Sequence, residues 1–353
     1  MHPDSVRETD RVPHGGSDDP DLLEFSANTN PHTPEGVAEV YADALGAARS
    51  YPNDDYPEFR EAAADFADCD PGDVVPTPGG LAALRLAFAA RVSPGDSVLV
   101  PYPSFGEYAR EIRLQGGDPE FVPHDELLDA DPADHAAAVV CNPNNPTGDA
   151  YDPDALREFA VRCREADALL VADEAFLGFT DRPSLAGSDG VVVARSLTKL
   201  FGLPGLRAGF AAATGDLGDD LATARRAWSL GTPAARVGAH CLGRSAFVAE
   251  TRERVRRERA RMADALRDDF GVYAPDGPPL SASSAPFLLL DLRGGGPGSG
   301  EQSPAELVAA ARERGVAVRD ATTFRGLDSH VRVAVRTPDE NDRLLEVLAD
   351  VRD

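Results

Sequence analysis

An α/β fold, with a mostly parallel sheet flanked by helices and a smaller α+β domain, follows from three features of this chain. Apolar, strand-like runs recur at Ser97–Val100, Ala137–Cys141, Ala168–Ala172, Val191–Ala194 and Ala208–Ala213. Helical patterns such as Asp154–Ala166 separate them, and this alternation is what builds a parallel sheet covered on both faces. The final third changes character, with strands expected at Pro286–Leu292, Val316–Val318 and Val331–Val335 and helices at Pro304–Arg314 and Pro338–Val351. At 353 residues the chain has room for about two domains. The expected division is an N-terminal arm over 1–24, a piece of the small domain over 25–50, a large domain over 51–240 and the rest of the small domain over 241–353.

Composition narrows the function. Apolar residues at 42 % and charged residues at 27 % suit a packed globular protein. Acidic side chains outnumber basic ones by 60 to 35, which argues against nucleic acid or an anionic membrane as partner. With arginine carrying most of the positive charge and aspartate abundant, the surface suits a halophile's cytoplasm, where salt screens the self-repulsion. No stretch approaches the roughly 18 apolar residues of a membrane helix, and the acidic N-terminus lacks a signal-peptide layout, so a cytoplasmic location is expected. Four scattered cysteines and seven scattered histidines show neither a disulfide framework nor metal-ligand spacing, so no metal site is expected.

In chain order, residues 1–20 read as a loose polar arm. Leu22–Pro31 reads as a short strand entering a turn, with Asn28 and Asn30 able to bond backbone or substrate. Pro57 suits the start of a helix over about Glu58–Ala67. Thr77-Pro78-Gly79-Gly80 precedes a nearly all-apolar helix beginning at Leu81, and a glycine pair at a buried helix N-terminus offers backbone N–H groups to an anion. Phe105, beyond the Ser97–Val100 strand, could stack on a planar ligand. Asn142 follows one buried strand and Asp173 ends another. Lys199, in Arg195-Ser196-Leu197-Thr198-Lys199, lies just past a third, and parallel strands would open all three on one edge. Lysine can form a Schiff base with an aldehyde cofactor, the hydroxyls of Ser196 and Thr198 can hold a phosphate, and Arg207 adds a second cation. An aspartate against a pyridine nitrogen keeps it protonated, and an asparagine amide can donate to the ring's phenolic oxygen. A long helix over about Pro233–Asp269 presents its arginines as a solvated face, and Gly294–Gly300 reads as a flexible loop. Arg319, Arg332 and Arg336 offer planar forks for carboxylate and phosphate, with Arg332 and Arg336 four apart on an expected strand and so on one side of it.

Asn142-Pro-Asn-Asn-Pro-Thr-Gly148, Asp173-Glu-Ala-Phe176 and Ser196-Leu-Thr-Lys199 with Gly205-Leu-Arg207 resemble the signatures of fold type I pyridoxal-phosphate enzymes, the class I/II aminotransferase superfamily. The resemblance runs from Phe25 to the end of the chain. It implies pyridoxal 5'-phosphate as cofactor, Lys199 as the Schiff-base lysine, Asp173 on the pyridine nitrogen and Asn142 on the phenolic oxygen. It further implies Gly80, Leu81, Ser196, Thr198 and Arg207 around the phosphate, and a homodimer in which Tyr56 reaches the partner's cofactor. Phe176 stands where many relatives carry a tyrosine, which removes one hydrogen bond to the phenolic oxygen. Two groups are similar in particular: histidinol-phosphate aminotransferases and L-threonine-O-3-phosphate decarboxylases of cobalamin synthesis. Phe25-Ser-Ala-Asn-Thr-Asn-Pro31, the spelling Asp173-Glu-Ala-Phe176 and Arg336 at the end of Val331–Thr337 favour the second. The expected reaction is therefore decarboxylation of L-threonine O-3-phosphate to (R)-1-aminopropan-2-ol O-phosphate. Amino transfer from histidinol phosphate is the alternative.

Overall fold

The computed structural model describes residues 1–275, 277–282, 284–294 and 302–352. Its centre is a seven-stranded sheet in the order Val74–Thr77, Gly209–Ala212, Val191–Ser196, Leu169–Asp173, Ala137–Cys141, Ser97–Tyr102, Asp118–Pro123. All neighbours are parallel except at Gly209–Ala212, which runs against the strand on either side. The central strands are buried along their length, apart from Ser196 at the end of one, as their Val-, Ala- and Leu-rich runs require when helices cover both faces. The two outermost strands escape the sequence pattern. Each carries proline, at Pro76 and at Pro119 and Pro123, which a sheet accepts at its edges.

The helix Gly80–Arg91 lies against the strands of the cavity side and buries Ala83, Leu84, Ala87 and Phe88. The helix expected over Pro233–Asp269 is two, Thr232–Leu242 and Ser245–Leu266, because Gly243 ends the first. The arginine face of the second helix is not uniformly solvated: Arg254 turns inward to the Arg336 carbonyl and Asn30 Oδ1, at 2.7 Å each. Arg252, Arg256 and Arg261 pair at the surface with Asp181, Glu253 and Asp342.

A second sheet, all antiparallel, is ordered Gly271–Val272, Phe287–Asp291, His330–Ala334, Arg319–Asp320. Two short ribbons tie the chain's parts together. Leu23–Glu24 pairs with Val316–Ala317, and Asp149–Tyr151 with Leu280–Ala282. The helix Val37–Ala47 packs on Thr232–Leu242. Of the loop expected over Gly294–Gly300, residues 295–300 lie outside the described residues. Among the described residues no helix is long and apolar enough to cross a membrane.

The loose arm expected over residues 1–20 is instead docked. Pro3–Glu8 is helical and packs on the helix Glu107–Gln115. Arg110 Nε donates to the Asp10 carbonyl at 3.0 Å, the Gly16 amide to Ser26 Oγ at 2.8 Å, and His14 Nε2 lies 2.8 Å from Glu107 Oε1.

Candidate active site

The carboxyl ends of the central strands open into a cavity of about 350 Å³. Parallel strands end with their side chains and loops on one edge, which is where a ligand finds room. Lys199 lines it from the short helix Leu197–Leu200 that follows the strand Val191–Ser196. Burial lowers the Lys199 pKa to about 8, with Arg332 and Arg207 pushing the same way and Asp173 opposing them. Asp173 ends the neighbouring strand and lines the same cavity. Its Oδ2 accepts from the Tyr108 hydroxyl at 2.7 Å and its Oδ1 from the Ala175 amide at 3.0 Å. Burial raises the pKa of this carboxyl, and those two bonds pull it back.

An anion seat lies at one corner. Gly80 opens the helix Gly80–Arg91, and Gly79 before it holds φ at 94°. A Cβ on Gly79 would come within 2.9 Å of Arg207 Nη2, and one on Gly80 within 3.2 Å of the Ser196 Cβ. Glycine is needed there so that the backbone can approach the arginine and the two hydroxyls. Ser196 Oγ and Thr198 Oγ1 are 2.8 Å apart. Helix N–H groups, two hydroxyls and a guanidinium at one place suit a phosphate. Together with a buried carboxylate and an amine of lowered pKa, this donor set fits a phosphorylated pyridine aldehyde.

Phe105, Phe176, Leu81 and Asn28 also line the cavity. Asn28 is buried, and its Oδ1 has no hydrogen-bond partner among the described residues. Arg332, 5 % exposed, donates Nη2 to the Ser26 carbonyl at 2.8 Å and Nη1 to Asn145 Oδ1. Its guanidinium faces the Phe287 and Phe324 rings, and its Nε has no hydrogen-bond partner among the described residues. Arg319 lines the mouth, bonded through Nη2 to the Pro13 carbonyl and Thr323 Oγ1, each at 2.8 Å.

Two residues expected in this cavity lie elsewhere, and Tyr56, expected at a partner's cofactor, lines a separate groove. Asn142 does not line the cavity. Its Oδ1 accepts from the Tyr151 amide at 3.2 Å, because successive residues alternate across a strand and Cys141 takes the cavity side. Asn145, three residues on, is the asparagine that faces in. Arg336 falls beyond the strand His330–Ala334, so the four-residue spacing does not align it with Arg332. It pairs with Glu340 at 2.8 Å and covers the Phe25 ring. Tyr56 is buried in a separate groove, its hydroxyl donating to the Leu230 carbonyl at 2.9 Å and accepting from the Leu230 amide at 3.1 Å. The arm residues Val12, Pro13, His14 and Gly15, absent from the sequence reading of the site, form part of the cavity wall. Tyr108 is equally absent from that reading; it stands three positions after Phe105, in the first turn of the helix Glu107–Gln115, and its ring meets the Phe105 ring.

The comparisons with known proteins agree with this geometry. Residues 20–348 match the family model for aminotransferase class I and II. The chain is 31 % identical to histidinol-phosphate aminotransferase 1 of Archaeoglobus fulgidus, over 94 % of this chain and 99 % of the relative. It is 30 % identical to the histidinol-phosphate aminotransferase of Natronomonas pharaonis, over 95 % of this chain and 93 % of the relative. Among solved structures, the L-threonine-O-3-phosphate decarboxylase of Porphyromonas gingivalis superposes with a TM-score of 0.79 at 25 % identity, covering 92 % of this chain and 98 % of that one.

These relatives overturn threonine-phosphate decarboxylation as the leading reading, since curated sequences matched over nearly the whole chain are named for histidinol-phosphate amino transfer. The physical reason for the error is local. Arg336, which tipped the sequence toward the decarboxylase, is spent on Glu340 and does not line the cavity. The cofactor of this fold and family is pyridoxal 5'-phosphate. With its family model matched over residues 20–348 and a relative 31 % identical along nearly its full length, the chain belongs to the class I and II aminotransferases.

Proposed function

We propose that this protein transfers the amino group of a phosphorylated amine of the histidinol-phosphate kind to a 2-oxo acid. The observation that carries the reading is the meeting of Lys199, Asp173 and Arg332 in one cavity, with Arg332 balanced by neutral acceptors alone. Pyridoxal phosphate, when bound, supplies an electron sink for charge developing at the substrate's Cα. Asp173 is assigned to the ring nitrogen, Phe105 to the ring face, and Gly80, Leu81, Ser196, Thr198 and Arg207 to the phosphate. Asn145 takes the place foreseen for Asn142 at the phenolic oxygen. Phe176 brings no hydroxyl to that oxygen.

Lys199 anchors the cofactor and moves the proton at the substrate's Cα. An amine titrating near pH 8 is well suited to both tasks at neutral to mildly alkaline pH. Arg332, Arg319 and Asn28 orient the substrate's anionic and polar groups. A homodimer is the expected assembly: Tyr51 and Trp228, stacked 4.4 Å apart, remain 78 % and 50 % exposed, and Tyr41 and Leu45 are exposed on the helix before them.

The test supplies the holoenzyme, in high salt, with histidinol phosphate and 2-oxoglutarate and follows glutamate. Glutamate formed by the wild type and lost in Lys199→Ala is the expected result. No amino transfer from any phosphorylated amine, with the cofactor's visible band present, would overturn the reading.

A further inference from the structure

We infer that Tyr108 is a positioning residue that fixes the Asp173 carboxylate toward the cofactor's ring nitrogen. Tyr108 stands in the first turn of the helix Glu107–Gln115 and is 0 % exposed. Its hydroxyl donates to Asp173 Oδ2 at 2.7 Å, while the Ala175 amide occupies Oδ1 at 3.0 Å. Held at both oxygens, the carboxylate cannot rotate about its χ2 without breaking a buried hydrogen bond. The same phenol ring meets Phe105 edge-on, with centroids 5.6 Å apart and planes at 83°. One side chain thus sets both the acid and the ring that would stack on the cofactor.

A buried tyrosine needs some acceptor, and a backbone carbonyl would serve. Here the acceptor is the carboxylate that, among the described residues, lines the cavity with Lys199. The charged and titratable neighbours of Asp173 act in different directions: Lys199 favours its ionised form, whereas Glu174 beside it and the burial of the site oppose it. Cys141, on the adjacent strand, also lies against the Tyr108 hydroxyl. A neutral O–H donor supports the anion without adding a second positive charge beside the pyridinium.

The inference rests on the assignment of Asp173 to the ring nitrogen. It is tested with Tyr108→Phe, which keeps the ring and removes the hydroxyl, alone and combined with Asp173→Asn. Three quantities are read: the melting temperature of the apo-protein, the dissociation constant for pyridoxal phosphate titrated into it, and the pH dependence of the bound cofactor's visible band. Tyr108→Phe is expected to keep the fold, weaken cofactor binding by about tenfold or more, and displace the band's titration. In the Asp173→Asn background the same change should cost less than about twofold, because the bond's charged acceptor is gone. An unchanged dissociation constant and band in Tyr108→Phe, or an equal loss in both backgrounds, overturns the inference. If Asp173→Asn alone leaves cofactor affinity and the band unaltered, the assignment of Asp173 fails instead.

Discussion

Arg195 and Arg332 are both buried arginines, 6 % and 5 % exposed, and they are balanced in opposite ways. Arg195 lies with Nε 3.0 Å from Glu174 Oε2. That carboxylate also accepts from Ser184 Oγ at 2.6 Å and the Leu185 amide at 2.8 Å. The pair is closed, and it joins the strands that carry Asp173 and Ser196. Arg332 bonds two neutral oxygens and faces two aromatic rings. Burial lowers the pKa of both arginines; Glu174 works against it at Arg195, whereas at Arg332 the nearby Arg319 adds to it and Glu24 opposes. In a chain with 60 acidic residues, a missing carboxylate is not a matter of supply. The difference separates a cation that holds the structure together from one reserved for an anion that arrives.

Removing the closed pair's acid should show the largest effect on stability. Glu174→Gln leaves the Arg195 charge buried and is expected to cost about 3–5 kcal/mol in urea unfolding. A loss below about 1 kcal/mol would erase the distinction. Arg332→Gln should behave in the opposite sense, keeping or raising the melting temperature while raising KM for an anionic amine at least about tenfold, or about 1.4 kcal/mol. A fall in stability with KM unchanged would make Arg332 a second structural arginine.

The lysine beside it sharpens the same comparison through pH. Because its folded pKa of about 8 lies below the ordinary 10.5, the unfolded chain holds the extra proton between those values. The apo-protein should therefore gain stability as pH rises through that window, and Lys199→Met should remove the gain. In the apo-protein, a rate of reaction of the Lys199 amine with an aldehyde that keeps rising about tenfold per pH unit through pH 9, instead of levelling off above about pH 8, would refute the lowered pKa. The smallest effect belongs to Arg336→Gln, expected to cost less than about 1 kcal/mol and to leave KM alone, as for a partly exposed ion pair. A tenfold rise in KM would return Arg336 to the site.

What the sequence made legible was whatever depends on local order. Lys199, Asp173 and the glycines before Leu81 are each fixed by a strand end or helix start a few residues away, and each lines the cavity or borders it. Asn142 and Asn145 show the limit. Both follow the same strand, and the choice between them turns on which face Cys141 occupies, which the helices packed on the sheet decide. Arg336 fails for a related reason, since the strand ends at Ala334 and the periodicity ends with it. The arm was misread because its polar composition resembles that of an unstructured tail. Its anchors at Ser26, Glu107 and Arg110 are single bonds, two of them spanning 93 and 100 residues, that composition does not record.

The bond between Arg319 and the Pro13 carbonyl joins positions 306 residues apart, and both line the mouth of the cavity. During synthesis Lys199 leaves the ribosome well before Arg319 exists, while Pro13 has long been waiting. A nascent chain that already holds every strand of the central sheet and Lys199 therefore still lacks a finished mouth through which to select a substrate. Selectivity is the last property this protein acquires, because it is built from both ends of the chain at once.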